Sequence, residues 1–392
     1  MTIPALKNIV IVGGSYVGVN AAQQLAAAFT GRFRVMLIEK NSHFQHLFAF
    51  PRFAVATGVD THRAFIPYVP GTFAACPPGS GTVIQARVSE LTKSAVQLDR
   101  KVLLDGLLTD SIPYSFLVIA TGTKLTPPSS LPGSEKLEGV AYLQKHAQLV
   151  KRSSKIVVIG GGAVGVQTAT DIKELYPEKS VTLVHSRQNV MNKFHPKLHE
   201  IIQERCAELG IDMKLGSRVK VPSDGYPTDG SNFNVELEDG SSVPADLAII
   251  CTGMTPQSSI LKAISPESID ASGFIRTQKT LQISAPEHPN IFAIGDVADT
   301  GAHKAARPGG RQAAIVTSNI QHLLKEEPLE NYDGIDPPAI HLTLGIIKSI
   351  VFGNPKPGSS DEPMIKDKDD GQLDMNIHGV WTRRGGGSDS ML

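Results

Sequence analysis

The chain has 392 residues, 41% hydrophobic and 19% charged, proportions that suit a folded globular protein of two or three domains. Thirty-eight basic residues balance thirty-eight acidic ones, and no basic patch stands out. That excludes a dedicated nucleic-acid binder, which needs a cationic surface against phosphates.

The N-terminus enters a strand directly, Asn8 to Val12, without a basic n-region or a cleavage site, and Gly does not follow Met1. Neither a secretory signal nor N-myristoylation is expected. Ile9 to Val12 reads as a strand, Gly13-Gly14-Ser15 as a tight turn, Val17 to Ala28 as a small-residue helix, and Arg34 to Ile38 as a second strand ending at Glu39. Parallel strands joined by a helix imply a sheet covered on both faces. Ala95 to Leu98 alternates like a half-buried strand, and the apolar run Phe116 to Ile119 ends in Ala120-Thr121-Gly122. A proline-rich stretch, Pro127 to Pro132, suits a crossing between domains.

The opening pattern then recurs. Ile156 to Ile159 is followed by Gly160-Gly161-Gly162, a helix from about Val164 to Leu175, and a strand from Val181 to Val184. An amphipathic helix, Pro196 to Leu209, comes next, and Asp239-Gly240 marks a hairpin turn after the strand Phe233 to Leu237. Leu247 to Cys251 closes this unit with Thr252-Gly253, and Asn290 to Ile294 runs into Gly295-Asp296. Beyond about Asn331 the pattern turns irregular. Pro355 to Pro363 reads as a mobile loop, and Gly385 to Ser388 as a disordered tail. No apolar run approaches the ~20 residues of a spanning helix; the best, Ile340 to Phe352, is interrupted by His341 and Lys348. A cytoplasmic or mitochondria-associated protein with at most peripheral membrane contact is expected.

The chemistry sits on the two glycine turns. Gly160, Gly162 and Gly165 fit all three positions of G-x-G-x-x-G; in the first unit Gly13 and Gly18 fit, with Ser15 in the middle position. After a strand and before a helix, such a turn lets backbone amides and the helix dipole meet a pyrophosphate. Glu39, ending the second strand, can accept hydrogen bonds from ribose hydroxyls and would repel a 2′-phosphate. The aligned position in the second unit is His185, followed by Ser186 and Arg187, which would accept the extra phosphate of NADPH. The cysteines Cys76, Cys206 and Cys251 form no C-x-x-C or C-x-x-x-x-C pair, so a tandem dithiol is excluded and buried free thiols are expected. His43 and His46 lack a matching second pair, so no metal is expected.

Two G-x-G-x-x-G units, two Ala/Cys-Thr-Gly closures and Ile294-Gly295-Asp296, in this order, resemble the FAD-dependent pyridine nucleotide oxidoreductases. Tyr176-Pro177-Glu178-Lys179 through Val181 to Ser186 resembles their apoptosis-inducing-factor-like, ferroptosis-suppressor-like branch; type II NADH dehydrogenases are more distant. The resemblance covers about residues 5–330. It implies an α/β fold of two Rossmann-like domains. The NAD(P)H-binding domain (151–283) is inserted in the FAD-binding domain (1–150 and 284–330), and a short C-terminal α+β segment (331–392) follows.

For FAD the resemblance implies Gly13, Gly14, Ser15, Gly18, Glu39 and Lys40. The backbone near Val88 meets the adenine, with Ala120, Thr121 and Gly122 beside it. Gly295 allows a close helix approach, and Asp296 bonds a ribitol hydroxyl. Pro51 and Arg52 fall on a segment that approaches the flavin, or are structural. For NADPH or NADH it implies Gly160, Gly162, Ala163, Val164, Gly165, His185, Arg187 and Gly253. Lys304 reads as a surface lysine rather than a flavin neighbour.

One departure is chemical. Relatives carry a glutamate where this chain has Gln167, near nicotinamide and flavin, with an implied role in passing protons to quinone. Glutamine cannot ionise, so Gln167 is the catalytic position in question. Asp171 stands where another glutamate is common. The expected activity is hydride transfer from NAD(P)H to FAD and electron transfer onward to a quinone-like acceptor, by a monomer or homodimer. Ile346, Ile350, Val351 and Phe352 would wall the acceptor site or simply be core. The alternatives are a tailoring oxidoreductase of a small-molecule biosynthetic pathway and a redox-sensing signalling protein.

Overall fold

Two parallel β-sheets, each grown from one glycine-turn unit, organise the chain. The computed structural model describes residues 7–333, 336–368 and 371–391. In the first sheet the strands lie in the order Ile291–Ala293, Phe116–Ile119, Lys7–Val12, Phe33–Glu39, Gly81–Gln85, all parallel. Lys7–Val12 takes the centre because its residues from Asn8 onward are buried, as a strand covered on both faces requires. Val12 pairs with both Ile38 and Ile119, so Gly13, Glu39 and Ala120 share one edge of the sheet. This is the carboxyl edge, where open parallel sheets form their ligand crevice.

After Phe116–Ile119 the chain leaves this sheet and builds a second, ordered Asp212–Leu215, Ser180–His185, Lys155–Ile159, Leu247–Ile250. It returns to the first sheet with Ile291–Ala293. The outgoing and returning crossings run side by side, Thr123–Leu125 pairing antiparallel with Met254–Pro256. The two Thr-Gly closures of the sequence therefore lead into one ribbon. The architecture is the expected α/β fold of two Rossmann-like units.

Most expected elements end one or two residues from their observed limits, as at Tyr16–Ala28 and Ala163–Leu175. The Asp239-Gly240 hairpin forms between Phe233–Glu236 and Ser242–Ala245. The strand expected at Ala95 to Leu98 instead runs to Leu104 and turns at Asp105-Gly106 into Leu107–Pro113. Its outer half leaves Leu103, Leu107 and Leu108 exposed, which breaks the alternation that marks a half-buried strand.

The C-terminal region is more regular than the sequence pattern suggests and forms the expected α+β segment. Ala339–Thr343, Ser349–Gly353 and Met364–Lys368 form an antiparallel sheet, with Pro355 to Pro363 between the last two strands. Ile350 and Phe352 pack with Leu342 and Leu344 against Val166, Leu198 and Ile202 of the second unit. They are core, not the walls of an acceptor cavity. Nor is the glycine-rich tail free. Helix Ile377–Arg383 buries Trp381 in the first unit's core, and its Nε1 donates to the Gly387 carbonyl at 2.7 Å.

Candidate functional site

At the first turn, Gly13 N–H donates to Ile38 O (2.9 Å), and Ala120 N–H to Val12 O (2.9 Å), locking the turn to its neighbouring strands. Ser15 is the N-cap of helix Tyr16–Ala28, and its hydroxyl makes no capping bond. Gly18 lies so close to the turn that a Cβ there would sit 1.7 Å from the Gly13 carbonyl oxygen. Buried Glu39 reaches the turn from the next strand: its carboxylate accepts from Gly14 N–H at 2.5 Å and from Asn41 N–H at 2.9 Å. Tyr68 donates to Gly14 O (2.8 Å) from beneath. Lys40 beside it is exposed, and the segment leading to Val88 is tied here by Ala86 N–H to Glu39 O (3.0 Å). Val88's own side chain is core.

Ile294 N–H donates to Ile119 O (3.0 Å) and Gly295 N–H to the Gln312 side chain (2.7 Å), placing Gly295-Asp296 over Val17 at the start of the same helix. Burial pushes the Asp296 carboxyl up, and Lys304 pulls it back. Lys304 is not the free surface lysine expected. It is half-buried over the Phe274 ring at 4.5 Å, its ammonium bonded to Ala298 O. Ala120, Gly13 and Gly295 thus meet at one helix start. Thr121 faces away, donating to Gln257 O (2.6 Å), while Gly122 O accepts from Gln257 N–H (3.0 Å).

The second turn repeats this geometry. Gly160 N–H donates to Val184 O (2.8 Å) and Cys251 N–H to Ile159 O (2.8 Å); a Cβ on Gly165 would lie 1.8 Å from Gly160 O. Gly162 is the N-cap of helix Ala163–Leu175, whose first residues Ala163 and Val164 are half-buried. Gly253 follows the closing strand, as Gly122 does in the first unit. Where Gly14 donates to the Glu39 carboxylate, Gly161 donates to His185 Nδ1 (3.0 Å). Burial, and then Arg187, hold the His185 pKa down, so the ring is neutral near pH 7 and Nδ1 is free to accept. Arg187 is exposed and, among the described residues, pairs with no carboxylate. The same structural position therefore carries a negative charge in one unit and none in the other.

Three further arrangements escaped the sequence. Arg52, expected either near the flavin or as a structural residue, is 1% exposed, and its guanidinium is engaged away from the first turn. It grips Asp171 through Nε (2.6 Å) and one terminal nitrogen (2.9 Å), and donates to Gly345 O and Gln372 O. The physical reason is burial: a buried guanidinium persists only with a charged partner. Gln167, one helical turn before Asp171, is buried and donates to Met375 Sδ at 3.7 Å. Finally, Arg384 from the tail lies 3.8 Å from the Phe44 ring and 5.3 Å from that of Tyr16. Tyr16 hydroxyl and His46 Nδ1 are 2.9 Å apart, and burial with Arg384 pushes His46 down to about 4, so Tyr16 is the donor. Aromatic residues at 16, 44 and 48 were the only signal of this cluster. The cysteines are free thiols, and burial raises Cys206 and Cys251 to about 12, which leaves them unreactive. Among the described residues, no group of three or more His, Cys, Asp or Glu could hold a metal ion.

The residues present fit two dinucleotides. The first intrahelical bonds come from Val19 N–H to Ser15 O and Val166 N–H to Gly162 O, which leaves the preceding amides of each helix for a ligand. The family model described as "Pyridine nucleotide-disulphide oxidoreductase" matches residues 7–316. The chain belongs to that family. Its members hold FAD and use NAD(P)H. Fe-regulated protein 8 of Mycosarcoma maydis is 35% identical over 402 residues, covering 98% of this chain and 96% of that protein. Ferroptosis suppressor protein 1 of Homo sapiens is 32% identical over 333 residues, 83% of each. Among solved structures, the sulfide:quinone oxidoreductase of Aquifex aeolicus superposes with a TM-score of 0.75, covering 97% of this chain and 92% of that one. At 17% identity that likeness shows the fold.

Proposed function

We propose that this oxidoreductase takes hydride from NAD(P)H at the second glycine turn and delivers electrons, by way of FAD at the first, to a small quinone-like acceptor. FAD supplies the hydride-accepting and electron-passing chemistry. The observation that carries the reading is the paired turns with different side chains behind them. Glu39, bonded to Gly14, suits a ribose with free hydroxyls; His185 and Arg187 leave room for a 2′-phosphate. Gly13, Gly14, Ser15 and Gly18 would hold the FAD pyrophosphate, with Lys40, Val88, Ala120 and Gly122 along the adenosine half and Asp296 at the ribitol. Gly160, Gly162, Ala163, Val164, Gly165 and Gly253 would hold NAD(P)H.

The thiols support this reading of the acceptor. The three cysteines are separate, and Cys206 and Cys251 are held protonated, so electrons have no dithiol to enter. A diffusible two-electron acceptor remains, and the fold-level likeness to a sulfide:quinone oxidoreductase supports it by analogy. Among the described residues no helix is long and apolar enough to cross a membrane, so a quinone would be met in water or at a bilayer surface.

Gln167 bears on the second half-reaction. A neutral amide cannot relay a proton by ionising, so delivery to the acceptor would depend on solvent. Stopped-flow measurement of both half-reactions tests the proposal, with menadione as acceptor. Reduction by NADPH should be fast in both wild type and Gln167→Glu, whereas reoxidation by menadione should speed up in the variant and gain a new ionisation in its pH profile. A wild type that reduces a disulfide reagent but not menadione would overturn the quinone reading. A substitution that changes only reduction would overturn the role given to Gln167.

A further inference from the structure

Two ion pairs meet around a single turn of the C-terminal segment. Arg52 belongs to the short helix Phe50–Phe53 of the first unit, and Asp171 to helix Ala163–Leu175 of the second. Both side chains are essentially dry, at 1% and 0% exposure. Arg52 also donates to Gly345 O at 2.9 Å, and Arg205 donates to the adjoining Leu344 O at 2.9 Å. Arg205 is paired with Glu174 (3.1 Å), which accepts from Ile346 N–H at 2.6 Å. The turn Leu344-Gly345-Ile346 therefore has two carbonyls and one amide held by charged groups. The same helix carries Gln167 four residues before Asp171, against Met375 beyond the turn, and Arg52 also holds Gln372 O. First unit, second unit and C-terminal segment are joined at this one place.

A buried ion pair is a poor device for stability alone. Desolvation of both charges offsets most of the attraction, and apolar replacements of equal volume often do as well. What an Arg–Asp pair adds is direction, because a planar fork fixes both angle and distance. We infer that Arg52 and Asp171, backed by Arg205 and Glu174, are positioning residues. They fix the NAD(P)H-side helix against the flavin-side unit at the hydride-transfer distance, and seat the C-terminal segment against Gln167. This rests on the hydride-transfer reading above.

The test compares wild type, Asp171→Asn, and a double variant, Arg52→Met with Asp171→Leu, which keeps the volume and removes both charges. The double variant should retain FAD and a single cooperative thermal transition, which shows that it folds, at a temperature lowered by the loss of the donors to Gly345 O and Gln372 O. Its reduction by NADPH should nevertheless fall by about a hundredfold, the usual result of a ~1 Å misplacement. Hydrogen exchange at the Ile346 amide, held by Glu174 in the same turn, should accelerate in both variants when measured without NADPH. A double variant with wild-type reduction rate and unchanged exchange would overturn the inference and leave the pair purely structural. If Asp171→Asn alone fails to fold, the double variant still decides. If wild type itself is not reduced by NADPH, the functional reading fails instead.

Discussion

Gly165→Ala should abolish reduction by NAD(P)H while leaving the protein yellow, and Gly18→Ala should strip it of FAD. The two substitutions are chemically identical and sit at equivalent points of equivalent units. A Cβ would lie 1.8 Å from Gly160 O in one case and 1.7 Å from Gly13 O in the other. Both obstacles are backbone carbonyls just after a strand buried beyond its first residue, so the helix start must move away from the turn. Moving it by ~1 Å displaces the amides that would meet the pyrophosphate, and misplacement on that scale costs about a hundredfold or more. Flavin content after denaturation and an anaerobic NADPH titration read the two effects separately. Retention of both cofactors in both variants would mean that the turns are structural. Loss of FAD from Gly165→Ala would mean that the two units do not bind independently.

Arg187→Ala should raise the KM for NADPH by about tenfold to a hundredfold and barely change that for NADH, since a charged hydrogen bond contributes about 1.5–3 kcal/mol. Arg187 is exposed, unpaired among the described residues, and two positions beyond His185 at the end of the strand Ser180–His185. Its loss should therefore not disturb the fold. Steady-state kinetics with each cofactor checks this. An equal rise for both would assign Arg187 to the support of the site rather than to the 2′-phosphate.

The glycine turns were legible because everything they need is local: an apolar strand, small residues at fixed spacing, and a side chain ending the next strand. Periodicity and spacing placed Gly13, Glu39, Gly160 and His185 near their observed elements without knowledge of the rest of the chain. The sequence leaves Arg52 open between a flavin neighbour and a structural residue, for the opposite reason. Its partners Asp171, Gly345 and Gln372 lie 119, 293 and 320 residues away, and no local pattern announces such a pair. Lys304 reads as solvated because Phe274, on which it rests, precedes it by a full structural element rather than by a helical or strand repeat. The C-terminal α+β segment is implied by the resemblance, but its strands are not located by periodicity, because they are short and neither alternation nor length marks them.

If one chain holds FAD and a nicotinamide dinucleotide close enough for hydride transfer, the bound flavin is reduced directly by NADPH. Anaerobic titration of the purified protein with NADPH tests this most directly. The expected result is a visible flavin band from bound FAD that bleaches in proportion to added NADPH, reaching completion near one equivalent, and returns on addition of menadione. A colourless protein that takes up no FAD, or a yellow one whose band is unchanged by excess NADPH and NADH, would contradict it.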